Sequence, residues 1–400
     1  MRVTLFTREY PPEVYGGAGV HVEYLTRELA RHVDVAVRCF GAPREEDQVL
    51  DVRAVGEWPV LAEHPPFDVL SVDLAMAAQS AGADVLHSHT WYANMAGHLA
   101  AIATGAPHVM TSHSLEPLRP WKAEQLGRGG YALSSWCERT SIESAAAVVA
   151  VSGAMRDDVL RCYPAVDPGR VEVIHNGIDA DEYRPELGDP DVLTVNGVDP
   201  GRPFVLFVGR ITRQKGIVHL VRAVPSIDPE AQIVLLAGAP DTPEIGREMS
   251  AAVDAARGAR DGIVWIERML PRDEVIRFLS HATVFVCPSI YEPLGIVNLE
   301  AMACETAVVA SAVGGIPEVV EDGVSGSLVP VELRPGDNEP TDPARFSADL
   351  AAKVNEVLAD PERARDMGAA GRRHVLEEFT WSAVADRTVD LYQRVAASSG

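Results

Sequence analysis

Short runs of β-branched and aromatic residues alternate along this chain with longer segments whose apolar residues recur every three or four positions. This spacing is that of one face of a helix, and in the first such segment the face consists of Ala18, Val22, Leu25 and Leu29. Strands that alternate with helices indicate parallel sheets with crossover connections. The predicted strands of the first half are residues 2–7, 34–40, 84–88, 107–112 and 147–151, and those of the second half are residues 204–208, 232–237, 263–266, 283–287 and 306–310.

The two halves have the same architecture, so the pattern predicts two doubly wound α/β domains. Their boundary falls near Asn176-Gly177-Ile178-Asp179, at the start of a polar stretch that contains prolines. We expect a first domain of residues 1–178 and a second of residues 179–379, with a helical tail from about residue 344 to residue 396. Ligands of open α/β sheets bind beyond the carboxyl ends of the strands, so two such domains facing each other would form a cleft.

Composition and charge narrow the class of protein. The formal net charge is −23, which argues against nucleic-acid binding because a phosphate backbone requires a basic face. A local cationic pocket for a phosphorylated substrate remains compatible with this charge. The N-terminus is charged too early for a signal peptide, and no apolar run approaches the ~20 residues of a membrane span. We therefore expect a cytoplasmic protein without a membrane partner, and leave a homodimer open.

The five cysteines show neither C-x-x-C spacing nor histidine partners, and most lie inside apolar runs. We expect buried reduced thiols rather than disulfides or a zinc site at Cys39, Cys137, Cys162, Cys287 and Cys304.

Two cations follow the first strand of the second half, in the segment Val208-Gly209-Arg210-Ile211-Thr212-Arg213-Gln214-Lys215-Gly216. Arg210 and Lys215 lie five residues apart with a glycine beside each, so both side chains can turn toward one anion. A guanidinium can bind two phosphate oxygens at once, and an ammonium adds a mobile point charge. The alternative is solvated loop charge.

Two carboxylates, Glu292 and Glu300, flank the predicted start of a helix in the segment Glu292-Pro-Leu-Gly-Ile-Val-Asn-Leu-Glu300. Pro293 favours an extended conformation at Glu292, which places that carboxylate before the helix. The amides of residues 294–296 would then be unpaired donors at the helix start. Carboxylates and amide donors along one edge suit the hydroxyls and phosphates of a nucleotide sugar. The alternative is ordinary charge complementarity at a helix N-terminus.

A glycine-rich turn, Tyr15-Gly16-Gly17-Ala18-Gly19, connects the first predicted strand to the first helix. Glycines there allow a phosphate to approach the backbone, although a plain tight turn needs them equally. The dinucleotide pattern G-x-G-x-x-G is not completed, and the second strand ends at Arg38-Cys39-Phe40-Gly41 without a carboxylate for a ribose hydroxyl. An NAD-binding domain is therefore disfavoured.

His113 ends a predicted strand and is suited to catalysis or hydroxyl binding. A second group, His87, His89 and His98, is close in sequence, but its neighbours offer no carboxylate or thiolate, so we expect no metal there. The D-x-D pairs Asp179/Asp181 and Asp189/Asp191 lie in the interdomain linker. Turn and cap roles are the commoner ones for aspartates in such a position.

Together these motifs resemble the retaining glycosyltransferases of the GT-B fold, in the glycogen synthase-like group that makes α-1,4-glucans. The resemblance extends from end to end and rests on Gly16-Gly17, His113, Arg210 with Lys215, and the pair Glu292/Glu300. Two strings, residues 7–22 and His87-Ser88-His89-Thr90-Trp91-Tyr92-Ala93, are similar to the shorter actinobacterial members of the group, which make α-maltose-1-phosphate.

The resemblance implies a metal-independent, cofactor-free transferase of glycogen biosynthesis that moves glucose from ADP-glucose to glucose-1-phosphate with retention of the α-anomer. Arg210 and Lys215 would neutralise the leaving diphosphate, and Gly17 would donate an N–H to it. Glu300 would bind the ribose hydroxyls. The fold also implies that a last helix, residues 380–396, packs back on the first domain. The donor sugar would be bound by Glu292, by the amides of Leu294, Gly295 and Ile296, and by His113.

Three rival functions remain at this point. A glycogen synthase would elongate glucan chains, but larger bacterial synthases carry a lysine where Tyr15 stands here. A glucan phosphorylase would need a lysine-bound pyridoxal phosphate, and neither Lys122 nor Lys353 has a suitable setting. A sugar-binding protein without catalysis has no use for the phosphate site. If the acceptor is a sugar phosphate, candidate residues beside Trp121 are Arg119, Lys122, Arg128 and Tyr131, although a solvated basic loop explains them almost equally well.

Overall fold

The computed structural model describes residues 1–14, 16–42, 50–58, 65–188, 190–238 and 240–398, except the side chains of residues 65 and 66. Tyr15 and Asp189, named above, lie outside this part of the chain. The contacts divide the chain into unit 1, Met1–Gly177 with Trp381–Gly400, and unit 2, Ile178–Thr380. A search of the described residues finds no helix with the length and apolar character that a bilayer crossing requires.

Unit 1 is built on a parallel sheet whose described strands follow the order β3-β2-β1-β4-β5-β6-β7. These strands are β1 Arg2–Thr7, β2 Asp34–Phe40, β3 Asp51–Val55, β4 Val85–His89, β5 His108–Ser112, β6 Ala147–Ala150 and β7 Val171–Val173. The helices are α1 Gly17–Leu29, α2 Pro65–Ala77, α3 Trp91–Thr104, α4 Lys122–Ser144, α5 Gly153–Cys162 and α14 Trp381–Ser398. The chain reverses direction across the sheet between β1 and β4, which makes this pair the topological switch point of unit 1.

The C-terminal helix α14 is part of the core of unit 1. The indole of Trp381 stacks on the ring of Tyr24, with ring centroids 5.7 Å apart and an interplanar angle of 7°. Farther along α14, the hydroxyl of the buried Tyr392 lies 2.5 Å from Nδ1 of His87 on β4. Burial of two large aromatic side chains stabilises this docking, since each removes a large apolar area from water.

Unit 2 repeats the plan, with the strand order β10-β9-β8-β11-β12-β13 in its parallel sheet. Its described strands are β8 Phe204–Arg210, β9 Gln232–Gly238, β10 Ile263–Ile266, β11 Val284–Cys287, β12 Ala307–Ser311 and β13 Gly326–Val329. The helices are α6 Asp191–Val195, α7 Ile217–Ala223, α8 Pro243–Ala259, α9 Arg272–His281, α10 Ile296–Ala303, α11 Ile316–Val319, α12 Pro343–Leu358 and α13 Pro361–Glu378. The switch point of unit 2 lies between β8 and β11.

The central strands of unit 2 are apolar on both faces because helices cover both sides of the sheet. Val205 and Phe207 of β8 and Val284 and Val286 of β11 are almost fully buried in one hydrophobic cluster. Their burial leaves the strand ends and the segments that follow them for polar chemistry, and the candidate residues of unit 2 lie there.

The predicted fold class is confirmed: the chain forms two Rossmann-like α/β units, and the last helix joins the first. The ten predicted strands agree with observed strands to within one or two residues at their ends. Three observed strands, β3, β7 and β13, have no counterpart in the prediction. All five cysteines are free thiols, four of them buried and Cys162 partly so.

Candidate active site

The switch point of unit 2 brings together a lysine and a glutamate that are 77 positions apart in the chain. Lys215 lies in the loop after β8 and Glu292 in the loop after β11, and these strands are neighbours in the sheet. The Nζ of Lys215 donates a hydrogen bond to Oε2 of Glu292 at 2.7 Å. The hydroxyl of Ser289 donates to the same carboxylate oxygen at 3.0 Å. The carboxylate of Glu292 is therefore held in one orientation.

The two loops are also joined through their backbones. The N–H of Ile290 donates to the carbonyl of Gln214 at 2.9 Å. Gly216 adopts a φ of +60°, and a Cβ at this position would lie 2.0 Å from the carbonyl oxygen of Pro288. Only glycine accepts both this conformation and this close approach. The backbone thus sets the distance between Lys215 and Glu292.

The charge state of Lys215 follows from its partner. Burial lowers the pKa of Lys215, but the adjacent Glu292 carboxylate more than offsets this effect and the net pKa is raised. Lys215 therefore carries a full positive charge at neutral pH, as a ligand for phosphate oxygens must.

Arg210 has a carboxylate partner that sequence reasoning did not identify. Its Nη1 donates to Oδ1 of Asp241 at 2.8 Å, and the guanidinium is 30% exposed. Asp241 follows β9, the other neighbour of β8. This ion pair can therefore be predicted only when the order of the strands in the sheet is known. A guanidinium has five N–H donors, so one arginine can bind more than one acceptor at a time.

The helix α10 begins at Ile296, so Glu292 lies before it, as Pro293 predicts. The carbonyl of Glu292 accepts the N–H of Gly315 at 3.0 Å, which ties this loop to the segment after β12. Leu294 is buried and Gly295 is the residue that precedes the helix. These contacts position the segment of residues 294–296; its predicted role in binding a sugar stays a prediction.

Glu300 lies on α10 in a different environment from Glu292. Burial raises the pKa of Glu300 to about 7, although the hydroxyl of Tyr183 and the positive charges of Arg272 and Lys215 act in the opposite direction. The carboxyl group is therefore divided between its two protonation states at neutral pH. Tyr183 and Arg272 were not predicted from the sequence, because both lie far from Glu300 along the chain.

The glycine-rich turn of unit 1 encloses a carboxylate of the chain itself. The N–H of Gly16 donates to Oε2 of Glu9 at 2.7 Å. A Cβ at Gly19 would lie 2.7 Å from the same oxygen, so the glycine makes room for Glu9. The N–H of Gly16, one of the glycines that we expected a phosphate to approach, therefore has an internal partner. Gly17 is the exposed first residue of α1, and its predicted phosphate contact stays a prediction.

His113 is one of four histidines that the fold brings together in unit 1. Its Nε2 lies 3.1 Å from Nδ1 of His89. Its ring also contacts the edge of the His21 ring, with centroids 4.7 Å apart. His21 is held by Asn176, whose Oδ1 lies 2.7 Å from Nδ1. His87 packs on His89 with ring centroids 4.3 Å apart. The sequence pointed to His113 and His89 separately and missed His21.

These histidines are neutral at physiological pH. Burial, followed by the charges of neighbouring imidazoles, lowers the pKa of His89 and of His113 well below 6.5, and burial lowers that of His21 to about 4. Two neutral rings at 3.1 Å form an N–H···N hydrogen bond in which one nitrogen donates and the other accepts. His113 is therefore oriented by His89 and is not a cationic acid.

Three of these rings also have the spacing of a metal site. One nitrogen from each of His21, His89 and His113 lies within 4.8 Å of the others. Imidazole nitrogens in such a group can bind zinc. The group differs from His87, His89 and His98, because Nδ1 of His98 contacts Ser144 and both ring nitrogens of His87 have hydroxyl partners. The His89–His113 hydrogen bond engages one nitrogen of each of those rings, and among the described residues the buried Nε2 atoms of His21 and His89 have no hydrogen-bond partner. The expectation of a metal-free enzyme stays our prediction.

The residues predicted to bind an acceptor are mostly engaged within unit 1. Nη1 of Arg119 donates to the hydroxyl of Ser114 at 2.7 Å and lies 3.8 Å from the buried carboxylate of Glu116. The hydroxyl of Tyr131 donates to the carbonyl of Glu116 at 2.7 Å. The buried Lys122 donates to the side chain of Gln125. Arg128 is exposed on α4.

The aspartate pairs of the linker have backbone roles where they are described. Oδ1 of Asp179 accepts the N–H groups of Asp181 and Glu182, each at 3.0 Å, which closes a turn. Asp191 is the first residue of the short helix α6. Asp189 is outside the described residues.

Known proteins share both the sequence and the architecture of this chain. The family model "Glycosyltransferase Family 4" matches residues 15–182 and "Glycosyl transferases group 1" matches residues 191–374. The alpha-maltose-1-phosphate synthase of Mycolicibacterium smegmatis is 55% identical over 399 residues, covering 99% of this chain and all of that protein. The chain belongs to the GT-B glycosyltransferases, in the family of the alpha-maltose-1-phosphate synthases. It is therefore a glucosyltransferase.

More distant relatives of this glucosyltransferase agree with the assignment. The glycogen synthase of Mycobacterium tuberculosis is 30% identical over 437 residues, covering 100% of this chain and 96% of that protein. Among solved structures, the sucrose-phosphate synthase of Thermosynechococcus elongatus superposes with a TM-score of 0.81 at 26% identity, covering 99% of each chain. A glycosyltransferase of this kind takes a nucleotide-sugar donor and a sugar acceptor.

Proposed function

We propose that this glucosyltransferase moves glucose from ADP-glucose to glucose-1-phosphate and forms α-maltose-1-phosphate with retention of the α-anomer. The observation that carries the proposal is the 55% identity, over essentially the whole chain, to an enzyme named for that product. In this reaction the bond from C1 of glucose to the diphosphate breaks, and a bond from C1 to an acceptor hydroxyl oxygen forms on the same face. The electron pair leaves with the diphosphate, which takes up the proton of the acceptor hydroxyl.

Lys215 and Arg210 would stabilise the charge that develops on the leaving diphosphate. Arg210 is the last residue of β8 and Lys215 lies in the loop that follows, and the raised pKa of Lys215 keeps its ammonium charged. Preorganised positive charge at the point where negative charge develops is commonly the largest catalytic effect in an enzyme. The backbone bond between Ile290 and Gln214 supports this role, because it fixes the lysine loop against the glutamate loop.

Glu300 and Glu292 would bind different parts of the donor. The ribose of a nucleotide offers two adjacent hydroxyl donors, which a carboxylate accepts together. Glu300, whose pKa is about 7, is ionised in part at neutral pH and would be stabilised in that form by two such donors. Glu292 has one oxygen committed to Lys215 and Ser289, which leaves its other oxygen for a hydroxyl of the transferred sugar.

The neutral state of His113 suits hydrogen bonding to a sugar hydroxyl better than proton transfer at neutral pH. No residue of this scheme needs a metal ion, because the two cations of unit 2 supply the positive charge that a metal supplies in other transferases. The proposal is therefore a metal-independent reaction without a cofactor.

Glycogen synthase is the second candidate function, favoured by the 30% identity to the Mycobacterium tuberculosis enzyme of that name. Against it, Tyr15 occupies the position at which larger bacterial synthases carry a lysine. A phosphorylase has less support still, since Lys122 is buried beside Gln125 and Lys353 donates to Glu356 on an exposed helix face.

Proton NMR of the reaction product tests the proposed chemistry. ADP-glucose and glucose-1-phosphate should give ADP and a phosphorylated disaccharide whose new anomeric proton has the small coupling constant of an α-linkage. A β-linked product would contradict retention, and an absence of disaccharide phosphate would contradict the acceptor.

A further inference from the structure

Arg8 and Tyr92 meet at the switch point of unit 1. Arg8 directly follows β1, and Tyr92 is in the first turn of α3 after β4, the neighbouring strand. The guanidinium carbon of Arg8 lies 4.0 Å from the centroid of the Tyr92 ring. The switch point is where open α/β sheets bind their ligands. The two side chains therefore lie at the edge of the sheet where a substrate of unit 1 is expected.

The positive charge of Arg8 faces solvent. Its side chain is exposed, and it makes no ion pair with any residue in the described part of the chain. The carboxylate of the next residue, Glu9, accepts the N–H of Gly16 at 2.7 Å. A guanidinium stacked on an aromatic ring keeps its edge N–H groups directed outward, in the geometry that binds two phosphate oxygens.

The backbone beside Tyr92 is strained. Thr90 has a φ of +65°, a conformation that a β-branched residue rarely adopts. Such strain recurs at binding sites, where the surrounding structure maintains it. Here it occurs in the turn that places Tyr92 against Arg8.

A cavity of about 600 Å³ opens beside Arg8 within unit 1. Its volume is in the range of small-molecule sites. Besides Arg8, the residues that line it include Phe40 and the glutamates Glu9, Glu13 and Glu57. An aromatic ring suits the apolar face of a sugar, and carboxylates accept hydrogen bonds from its hydroxyls. With carboxylates along the walls and one cation at the rim, the cavity suits a neutral sugar that bears a single phosphate.

The other basic residues of unit 1 that we considered for an acceptor are less available. Arg119 and Lys122 make hydrogen bonds with side chains of their own unit. Arg119 nevertheless affects Tyr92 electrostatically. Burial raises the pKa of the Tyr92 hydroxyl, and the positive charges of Arg8 and Arg119 partly offset that rise. Tyr92 therefore stays protonated and can donate its hydroxyl hydrogen to an anion.

We propose that Arg8 and Tyr92 form the binding site for the phosphate group of a sugar-phosphate acceptor, whose sugar ring occupies the adjacent cavity. This inference rests on the proposed function in one respect, the use of a phosphorylated acceptor. It adds the residues that select such an acceptor over an uncharged sugar.

The test compares Arg8→Ala, Arg8→Lys and Tyr92→Phe with the wild type in steady-state kinetics. Loss of a charged hydrogen-bonding group from a phosphate typically weakens binding about tenfold to a hundredfold. We expect Arg8→Ala to raise the KM for glucose-1-phosphate by that factor and to leave the KM for ADP-glucose unchanged. Arg8→Lys should recover part of the loss. Arg139→Ala, which removes another exposed arginine of unit 1, serves as the control and should behave like the wild type.

Calorimetric titration with glucose-1-phosphate and with glucose separates failure of this inference from failure of the proposed function. If the wild type converts glucose-1-phosphate and Arg8→Ala does so with an unchanged KM, the phosphate site is wrong and the function stands. If the wild type does not convert glucose-1-phosphate, the function is wrong. In that case the site is retained only if glucose-1-phosphate binds the wild type at least tenfold more tightly than glucose and Arg8→Ala loses this preference. Equal binding of the two sugars would overturn the site as well.

Discussion

Lys215 and Glu292 form an ion pair, 2.7 Å between Nζ and Oε2, that joins the ends of two neighbouring strands in unit 2. The two residues were predicted to bind different parts of a nucleotide sugar, and the structure shows that each also holds the other. Replacing either one leaves a largely buried charge without its partner, which costs more than the loss of a single contact. Their effects on activity should therefore be non-additive.

Removal of the Lys215 ammonium should reduce turnover. Loss of one preorganised group that stabilises the transition state typically costs about 10²–10³ in kcat. We expect this loss for Lys215→Ala, measured as ADP release at saturating substrates. The matched control is Lys353→Ala, which removes a lysine on an exposed face of α12 in the same unit.

Circular dichroism of the Lys215→Ala variant should be that of the wild type, so that lost turnover reflects chemistry. Near-normal kcat in a folded Lys215→Ala variant would remove this lysine from the mechanism. The double variant with Glu292→Gln should lose less than the product of the two single losses.

Protonation of Glu300 should weaken binding of the donor. Its pKa of about 7 means that the carboxylate is replaced by a carboxylic acid as the pH falls from 8 to 6. A protonated carboxyl group is a poorer acceptor for two ribose hydroxyls, so the Kd for ADP-glucose should rise up to about tenfold over this range. Calorimetry with ADP-glucose is the suitable measurement, because its diphosphate does not titrate there.

Glu300→Gln supplies the control for the pH effect. Its carboxamide cannot titrate, so donor binding should be weak and independent of pH between 6 and 8. A wild-type Kd for ADP-glucose that does not change with pH would show that Glu300 does not bind the donor.

The pattern of apolar residues was sufficient to predict the long central strands. It was insufficient to predict three strands that are short or lie at a sheet edge. Strands such as β8 and β9 are buried on both faces and read as continuous apolar runs. β3 is Asp-Val-Arg-Ala-Val at the sheet edge, where Asp51 receives hydrogen bonds from the buried Arg38. β7 has only three residues, and β13 begins with glycine and serine. Neither strand therefore shows the apolar pattern from which a strand is predicted.

The sequence singled out candidate residues but not their pairings, and the functional roles of those residues stay predictions. Lys215 and Glu292 are visible as a cation and a carboxylate after apolar runs, and their contact depends on β8 and β11 being neighbours. Arg210 pairs with Asp241, and Arg8 with Tyr92, through adjacent strands in the same way. Asp241, Arg8 and Tyr92 were not predicted as site residues. Sheet order is set by packing of whole strands, and local sequence does not encode it.

Activity should persist without divalent metal. In the proposed reaction Arg210 and Lys215 supply the positive charge for the diphosphate, and His89 and His113 are joined by a hydrogen bond between one nitrogen of each ring. Dialysis against EDTA should leave kcat unchanged, and elemental analysis should find well below one zinc per chain. Activity that is lost in EDTA and restored by zinc, magnesium or manganese would show that the reaction needs a metal.

His89 should affect the reaction through the orientation of His113. Their nitrogens are 3.1 Å apart, and a misplacement of about 1 Å in a catalytic group can cost up to 10²-fold. His89→Leu should lower kcat by about tenfold or more, since it removes the hydrogen bond. His89→Asn places an amide near the position of Nδ1 and should recover part of the activity. Equal losses in the two variants would indicate a packing role for His89.

The most direct test of the account is kcat/KM for ADP-, UDP- and GDP-glucose crossed with glucose-1-phosphate, maltose and glycogen. The account predicts the highest value for ADP-glucose with glucose-1-phosphate, since the second substrate supplies the phosphate that Arg8 and Tyr92 are proposed to bind. A higher value with glycogen than with glucose-1-phosphate would contradict the acceptor assignment and identify the enzyme as a glycogen synthase.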